Sequence, residues 1–298
     1  MIQSLFTRPG RRRLILGLRT LFGRRPAGFF IPYRYAARVA VPGPYAAADK
    51  LCRAALPDMR TTLADLAIYR AALLAIGSDT APPAPRWRQD WFAPLDAALL
   101  YGFIRRHRPR LVLEIGSGHS TRFAARAIAD GTLADGPLAD GTPASRHVAI
   151  DPAPRADIAA LPVEFHRQLL ADADPALFDA LGPGDILFID SSHILMPGSD
   201  VDQLINRVLP RLAPGVLVHI HDIFLPEDYP QGWHWRGYNE QSAVLPLLTG
   251  GGFRLLFASH FATRHLAAEI AATPLGALPP DLSAAPATSF WIQRAMRD

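Results

Sequence analysis

Short apolar runs, several of them closed by a glycine or a carboxylate, recur along the chain from residue 111 onward. They fall at residues 111–115, 147–151, 162–166, 185–190, 216–222, 253–259 and 289–294. Near-continuous apolar character, without polar alternation, predicts strands buried on both faces of a parallel sheet. Between them lie stretches with helical spacing, at 120–130 and 200–212, preceded by two more at 60–76 and 94–107. In the first of the upstream pair Leu63, Leu66, Tyr69, Leu73 and Leu74 share the predicted buried side; in the second, Pro109 stops the helix just before the central strand. Strands alternating with helices predict an α/β fold, a doubly wound and mostly parallel seven-stranded sheet with an N-terminal helical extension. Right-handed crossovers then carry every strand's C-terminal end to one rim.

The rest of the chain subdivides by composition. Residues 1–45 form a basic extension, 46–109 a helical cap segment broken by Ala81-Pro-Pro-Ala-Pro85, and 110–298 the sheet domain. The first 48 residues hold nine arginines (8, 11, 12, 13, 19, 24, 25, 34 and 38) and no acid, so the net charge of +4 conceals an acidic body. That balance argues against a nucleic-acid surface on the fold. Leu14, Leu18, Leu21 and Phe22 fall on one helical face within residues 1–25, which gives three readings: an interfacial helix on anionic lipid, an organellar leader, or a solvated extension. The aromatic stretch at 28–35 is expected to pack on the body or at a pocket mouth. The five-residue pseudo-repeat at 131–142 reads as a flexible surface insertion. With 49% apolar residues the chain can build a large core, and Cys52, its single cysteine, suits a reducing, cytoplasmic compartment. No apolar run is long enough to span a bilayer.

The chemistry gathers at the predicted rim. Strand 111–115 runs into Gly116-Ser117-Gly118 and then a helix capped by Ser120 or Thr121, which is where open α/β sheets bind nucleotide-like ligands. Thr121 occupies the position of the third glycine in a dinucleotide fingerprint, and no Gly-Lys-Ser/Thr phosphate loop is present. Glu114 instead precedes the turn in a Glu-x-Gly-x-Gly pattern. Asp151, ending the next strand, is placed to accept ribose hydroxyls, or to serve only as a turn aspartate before Pro152. Two further strand ends contribute Asp190-Ser-Ser-His193 and His219-Ile-His221-Asp222. Such a gathering can bind a divalent ion or supply a histidine base, or else Asp190 simply orients a histidine. Since alternate strand residues face opposite ways, Asp190, His193, His221 and Asp222 converge only if the fifth strand ends early.

Those runs together, with Tyr-Asn239-Glu240-Gln241 and the closing Ser-Phe-Trp-Ile, resemble a bacterial family of class I S-adenosylmethionine-dependent methyltransferases, the methyltransferase domain 24 group. The resemblance spans about residues 86–294 and implies a Rossmann-like fold with S-adenosylmethionine as cofactor. It places Glu114, Gly116, Gly118 and Asp151 at the cofactor; from their position on the rim Ser117 and Asp190 are read as cofactor residues too, and His193, His221 and Asp222 as the catalytic candidates. Asp190 and Asp222 match two acids that hold magnesium in catechol-type relatives, while Ile223 stands where those relatives have an asparagine ligand. The implied activity is O-methylation of a hydroxyl on a small molecule or glycan, assisted by a histidine base or by Mg2+ or another divalent cation. A nicotinamide-dependent oxidoreductase and a non-catalytic Rossmann-like scaffold are the competing classes. The implied location is cytoplasmic, with residues 1–25 as the candidate contact to a membrane surface; acceptor identity and oligomeric state are not encoded in motifs.

Overall fold

Seven strands, β1 (Leu111–Ile115), β2 (Arg146–Ile150), β3 (Glu164–His166), β4 (Ile186–Ile189), β5 (Leu217–Ile220), β6 (Phe253–Ala258) and β7 (Phe290–Arg294), form one sheet in the order β3-β2-β1-β4-β5-β7-β6. The computed structural model describes residues 7–24, 27–28, 31, 33–39, 43–135 and 145–296. Phe29 and Phe30 of the aromatic stretch and residues 136–142 of the pseudo-repeat lie outside them. Every residue of β1, β4 and β5 is buried, as expected for strands covered on both faces. Register pairs Glu114 with Ala149 on one side and Phe188 on the other, so the ends of β1, β2 and β4 lie side by side.

The helices are α1 (Arg8–Phe22), α2 (Ala46–Ala54), α3 (Leu56–Asp65), α4 (Arg70–Leu74), α5 (Pro94–His107), α6 (His119–Asp135), α7 (Ala176–Asp179), α8 (Asp200–Gln203), α9 (Gln241–Thr249), α10 (Ser259–His265) and α11 (Ala267–Ala272). One continuous buried cluster runs from Cys52, Met59 and Leu63 through α5 into the sheet residues Val112, Phe188 and Val218. Each fully buried Leu, Ile or Phe in it contributes about 1.5–3 kcal/mol, which is what holds the strand ends in place.

The expectation of a mostly parallel seven-stranded sheet holds, with one correction to the rim. β7 runs antiparallel to both β5 and β6, so its N-terminal end, Thr288-Ser289, faces the site. Local apolar pattern carries no strand direction; the path through α10 and α11 sets it. The predicted helix at 60–76 is broken at Leu66–Tyr69, where Leu66 packs so closely on α5 that a Cβ at Gly102 would lie 2.8 Å from it. Leu74 is exposed rather than buried. The described residues of the 28–35 stretch do not pack on the body: Ile31, Tyr33 and Tyr35 are all exposed. Among the described residues no helix is long and apolar enough to cross a membrane.

Candidate active site

The glycine turn and the acid of the next strand meet. Asp151 Oδ2 accepts hydrogen bonds from the Ser117 backbone N–H at 2.7 Å and the Ser117 hydroxyl at 2.9 Å, and its Oδ1 accepts from Ala153 N at 2.7 Å. Asp151 is therefore both the turn aspartate and the clamp on the glycine loop. Gly116 adopts φ +86°, and a Cβ there would lie 1.9 Å from the Asp190 carbonyl oxygen. Only glycine allows that approach. Gly118 differs, since a Cβ there would meet nothing within 4 Å. Glu114 is fully buried; Oε2 lies 2.9 Å from His147 Nε2, and Oε1 has no partner among the described residues. An open space over Gly118 and an unmatched buried acceptor beneath the turn fit the polar end of a cofactor bound at this helix N-terminus.

His119, at the start of α6, was not anticipated as a site residue. Burial, then Arg122 and Arg86, pull its imidazole down to about 4, so it is neutral at pH 7, with Nδ1 buried and without a partner among the described residues. Its place directly after Gly118 was the available signal.

At the ends of β4 and β5 the acids and histidines do converge, because β5 stops at Ile220 and Asp222 turns back with φ +58°. His193, at φ +60°, lies at the centre. Its Nδ1 is 2.9 Å from Glu240 Oε2, and its Nε2 is 3.2 Å from Asp190 Oδ1 and 3.5 Å from Asp222 Oδ2. Burial by itself would lower this imidazole; hydrogen bonds to Asp190 and Glu240, with the Asp222 charge nearby, overcome burial and raise it well above the usual histidine range. For Asp190, burial would raise the carboxyl, but His193, His221 and Arg155 hold it well below the usual range. Burial also raises Glu240, against the pull of His193. These opposed directions describe one proton between His193 and Glu240. We place it on the ring, which faces three carboxylates.

The remaining histidines divide. His219 stacks on Phe188 with centroids 3.9 Å apart and meets Ser289 Oγ at 2.7 Å; burial, with His221 alongside, depresses it well below its usual range. It is a core residue. His221 has Nε2 3.8 Å from Asp222 Oδ1 and Nδ1 buried without a partner among the described residues.

A divalent ion does not fit this donor set. The His193 ring edge already fills the interval between Asp190 and Asp222, the third carboxylate is committed to the other ring nitrogen, and Ile223 is buried with no donor to offer. Among the described residues no group of three or more His, Cys, Asp or Glu side chains is arranged to hold a metal.

Glu240 and Asp96 carry structural parts of the site that the sequence did not signal. Glu240 pairs with His193, and Asn239 bridges both backbone polar groups of Leu195, accepting at 2.6 Å and donating at 3.2 Å. Asp96, buried at the start of α5, accepts from Thr288 N at 2.8 Å and Ser289 N at 3.1 Å, and Thr288 Oγ1 reaches Asp222 Oδ1 at 3.3 Å. Burial raises the Asp96 carboxyl, opposed by His221 and these hydrogen bonds.

Tyr238 closes one side of the cluster, its ring 4.6 Å from that of His193. Arg236 lies over Trp233 at 4.1 Å and donates to the Tyr238 hydroxyl at 3.1 Å. A separate cavity of about 300 Å³, lined by Leu170, Phe178, Gln203, Arg207 and Arg211, contains none of these residues.

Residues 113–223 match the Methyltransf_24 family, described as a methyltransferase domain. Among solved structures, the chain is similar to an O-methyltransferase from Bacillus cereus in complex with S-adenosylhomocysteine, with 15% identity over 85% of this chain and 98% of that one and a TM-score of 0.38. It is also similar to the O-methyltransferase TomG from Streptomyces achromogenes, involved in tomaymycin synthesis and complexed with S-adenosylmethionine, with 15% identity over 84% and 99% and a TM-score of 0.40. No curated protein sequence matches the chain. The stretch that matches this methyltransferase domain spans the glycine turn, Asp151 and both acid-ended strands, which are among the runs that carried the resemblance.

Proposed function

We propose that the protein O-methylates a hydroxyl of a small molecule or glycan without a metal ion, with His221 taking the hydroxyl proton. The observation that carries the metal-free reading is the His193 ring lodged between Asp190 and Asp222. S-adenosylmethionine, when bound, supplies a methyl group already activated on a sulfonium. The protein has to align an oxygen with that methyl, exclude water and receive a proton. Gly116, Ser117 and Gly118 line the cofactor's polar end, with Glu114 below the turn and Asp151 holding the loop and facing the ribose.

His193 is unsuited to the base role, since both of its ring nitrogens face carboxylates and the ring carries the proton. It acts as a fixed cation that orients Asp190 and Asp222 and offsets their charge, the task a divalent ion performs elsewhere. His221 Nδ1 has no partner among the described residues, and Asp222 lies 3.8 Å from Nε2, on the side where a carboxylate can orient a base. Tyr238, Trp233 and Arg236 form the acceptor wall.

Calorimetric titration with S-adenosylmethionine tests the cofactor assignment, and assay after exhaustive chelation tests the metal-free reading. A folded protein that binds no S-adenosylmethionine refutes the first. Activity abolished by chelation and restored by Mg2+ refutes the second.

A further inference from the structure

The N-terminal helix turns its apolar side outward. Leu14, Ile15, Leu18, Leu21 and Phe22 are 46 to 83% exposed. At about 100° per residue they occupy an arc of about 120°. Leu16 and Thr20, on the opposite side, are partly buried. Thr20 Oγ1 accepts from Ala27 N at 3.0 Å and donates to Leu16 O at 2.8 Å, so that side turns toward the chain's own return. The helix also runs alongside Gln231–Arg236 of the acceptor wall. A soluble surface helix shows the reverse arrangement, with its apolar face toward the core.

The surrounding charge is of one sign. Arg8, Arg11, Arg12, Arg13, Arg19 and Arg24 are exposed, and among the described residues none of them forms an ion pair. Arg12 and Arg19 border one edge of the arc and Arg13 lies beyond the other. After the helix, Ile31, Tyr33, Tyr35 and Val39 are also exposed, interleaved with exposed Arg34 and Arg38. Exposed aliphatic side chains beside arginines and tyrosines suit the headgroup layer, where apolar parts enter and cations stay with phosphates.

We infer that α1, with the exposed residues Ile31, Tyr33, Tyr35 and Val39 that follow it, forms a docking surface for anionic lipid bilayers. A second copy of the chain is disfavoured as occupant, because facing two such surfaces sets arginines against arginines with no acid in the first 48 residues to offset them. The surface holds the protein on the membrane by a shallow apolar insertion plus attraction to lipid phosphates, and it lies next to the acceptor wall.

Vesicle flotation with the full-length protein tests this. Vesicles containing phosphatidylglycerol are expected to carry the protein, and pure phosphatidylcholine vesicles to leave it behind. Leu18→Asp combined with Phe22→Asp should abolish flotation, while Arg12→Gln and Arg19→Gln should weaken partitioning by about fivefold each. These positions are solvent-exposed, so unchanged melting of the variants verifies that the fold is intact. The inference is overturned if wild type does not float with anionic vesicles, if the Asp variant floats equally well, or if sedimentation shows the apolar arc consumed in a dimer.

Discussion

Glu240 Oε2 lies 2.9 Å from His193 Nδ1 across 47 residues of chain, joining the loop after β4 to the start of α9. Neither group could stay charged in so buried a place alone, and breaking such a pair typically costs about 3–5 kcal/mol. Glu240→Gln should therefore lower the melting temperature and reduce turnover, with a smaller effect on S-adenosylmethionine affinity. Parallel thermal and calorimetric measurements check this, and equal losses in affinity and turnover would mean Glu240 has no role specific to His193.

The metal-free reading proposed above rests on the same ring. His193→Ala should expose three carboxylates and create a Mn2+ site detectable by electron paramagnetic resonance, while wild type shows no saturable site. Saturable binding by wild type, unchanged in the variant, would remove the built-in cation from the account.

Stability should carry the signature of His193 with a definite sign. A histidine raised in the folded state contributes fully below its unfolded value, about 6.5, and loses its contribution as pH climbs through the raised folded value. Asp190 is depressed, so its contribution is present above about 3.9 and lost as pH falls through its lower folded value. Wild type should therefore exceed His193→Gln most strongly between about pH 4 and 6.5, with the gap narrowing as the solution becomes alkaline. A gap that widens with pH would place the proton elsewhere.

The two glycines of the turn should behave oppositely. Gly118→Val adds atoms where a Cβ meets nothing within 4 Å, so it should leave melting near wild type and sharply weaken S-adenosylmethionine binding. Gly116→Ala forces a Cβ to 1.9 Å from the Asp190 carbonyl and should destabilise the protein directly. Differential scanning fluorimetry with and without ligand separates the two.

His221→Gln should lower turnover by about 10²–10⁴-fold, the usual contribution of a general base, with little change in cofactor affinity. A single-turnover assay reads the methyl-transfer step itself; a loss under threefold would transfer the proton to Asp190 or Asp222.

Much of this was legible in the sequence for physical reasons. Buried parallel strands are nearly continuous in apolar character, so all seven are found within one or two residues, and glycine before a close approach marks the turn. The His193–Glu240 pair was not legible, because nothing in Tyr-Asn-Glu-Gln indicates that one side chain faces inward beneath a loop 47 residues away. Whether Asp222 joins the cluster was left open by strand alternation, and the early end of β5 with the positive φ at Asp222 decides it. Asp96 gave no signal in an otherwise apolar helix start, and its partners lie 192 and 193 residues downstream.

That last connection bears on how the chain can be divided. A polypeptide starting at residue 110 would retain every residue of the family match, yet the Thr288 and Ser289 amides would lose their acceptor and Thr288 its hold beside Asp222. The helical segment upstream is thus an internal brace for the reaction centre, supplied by sequence the matched region does not include.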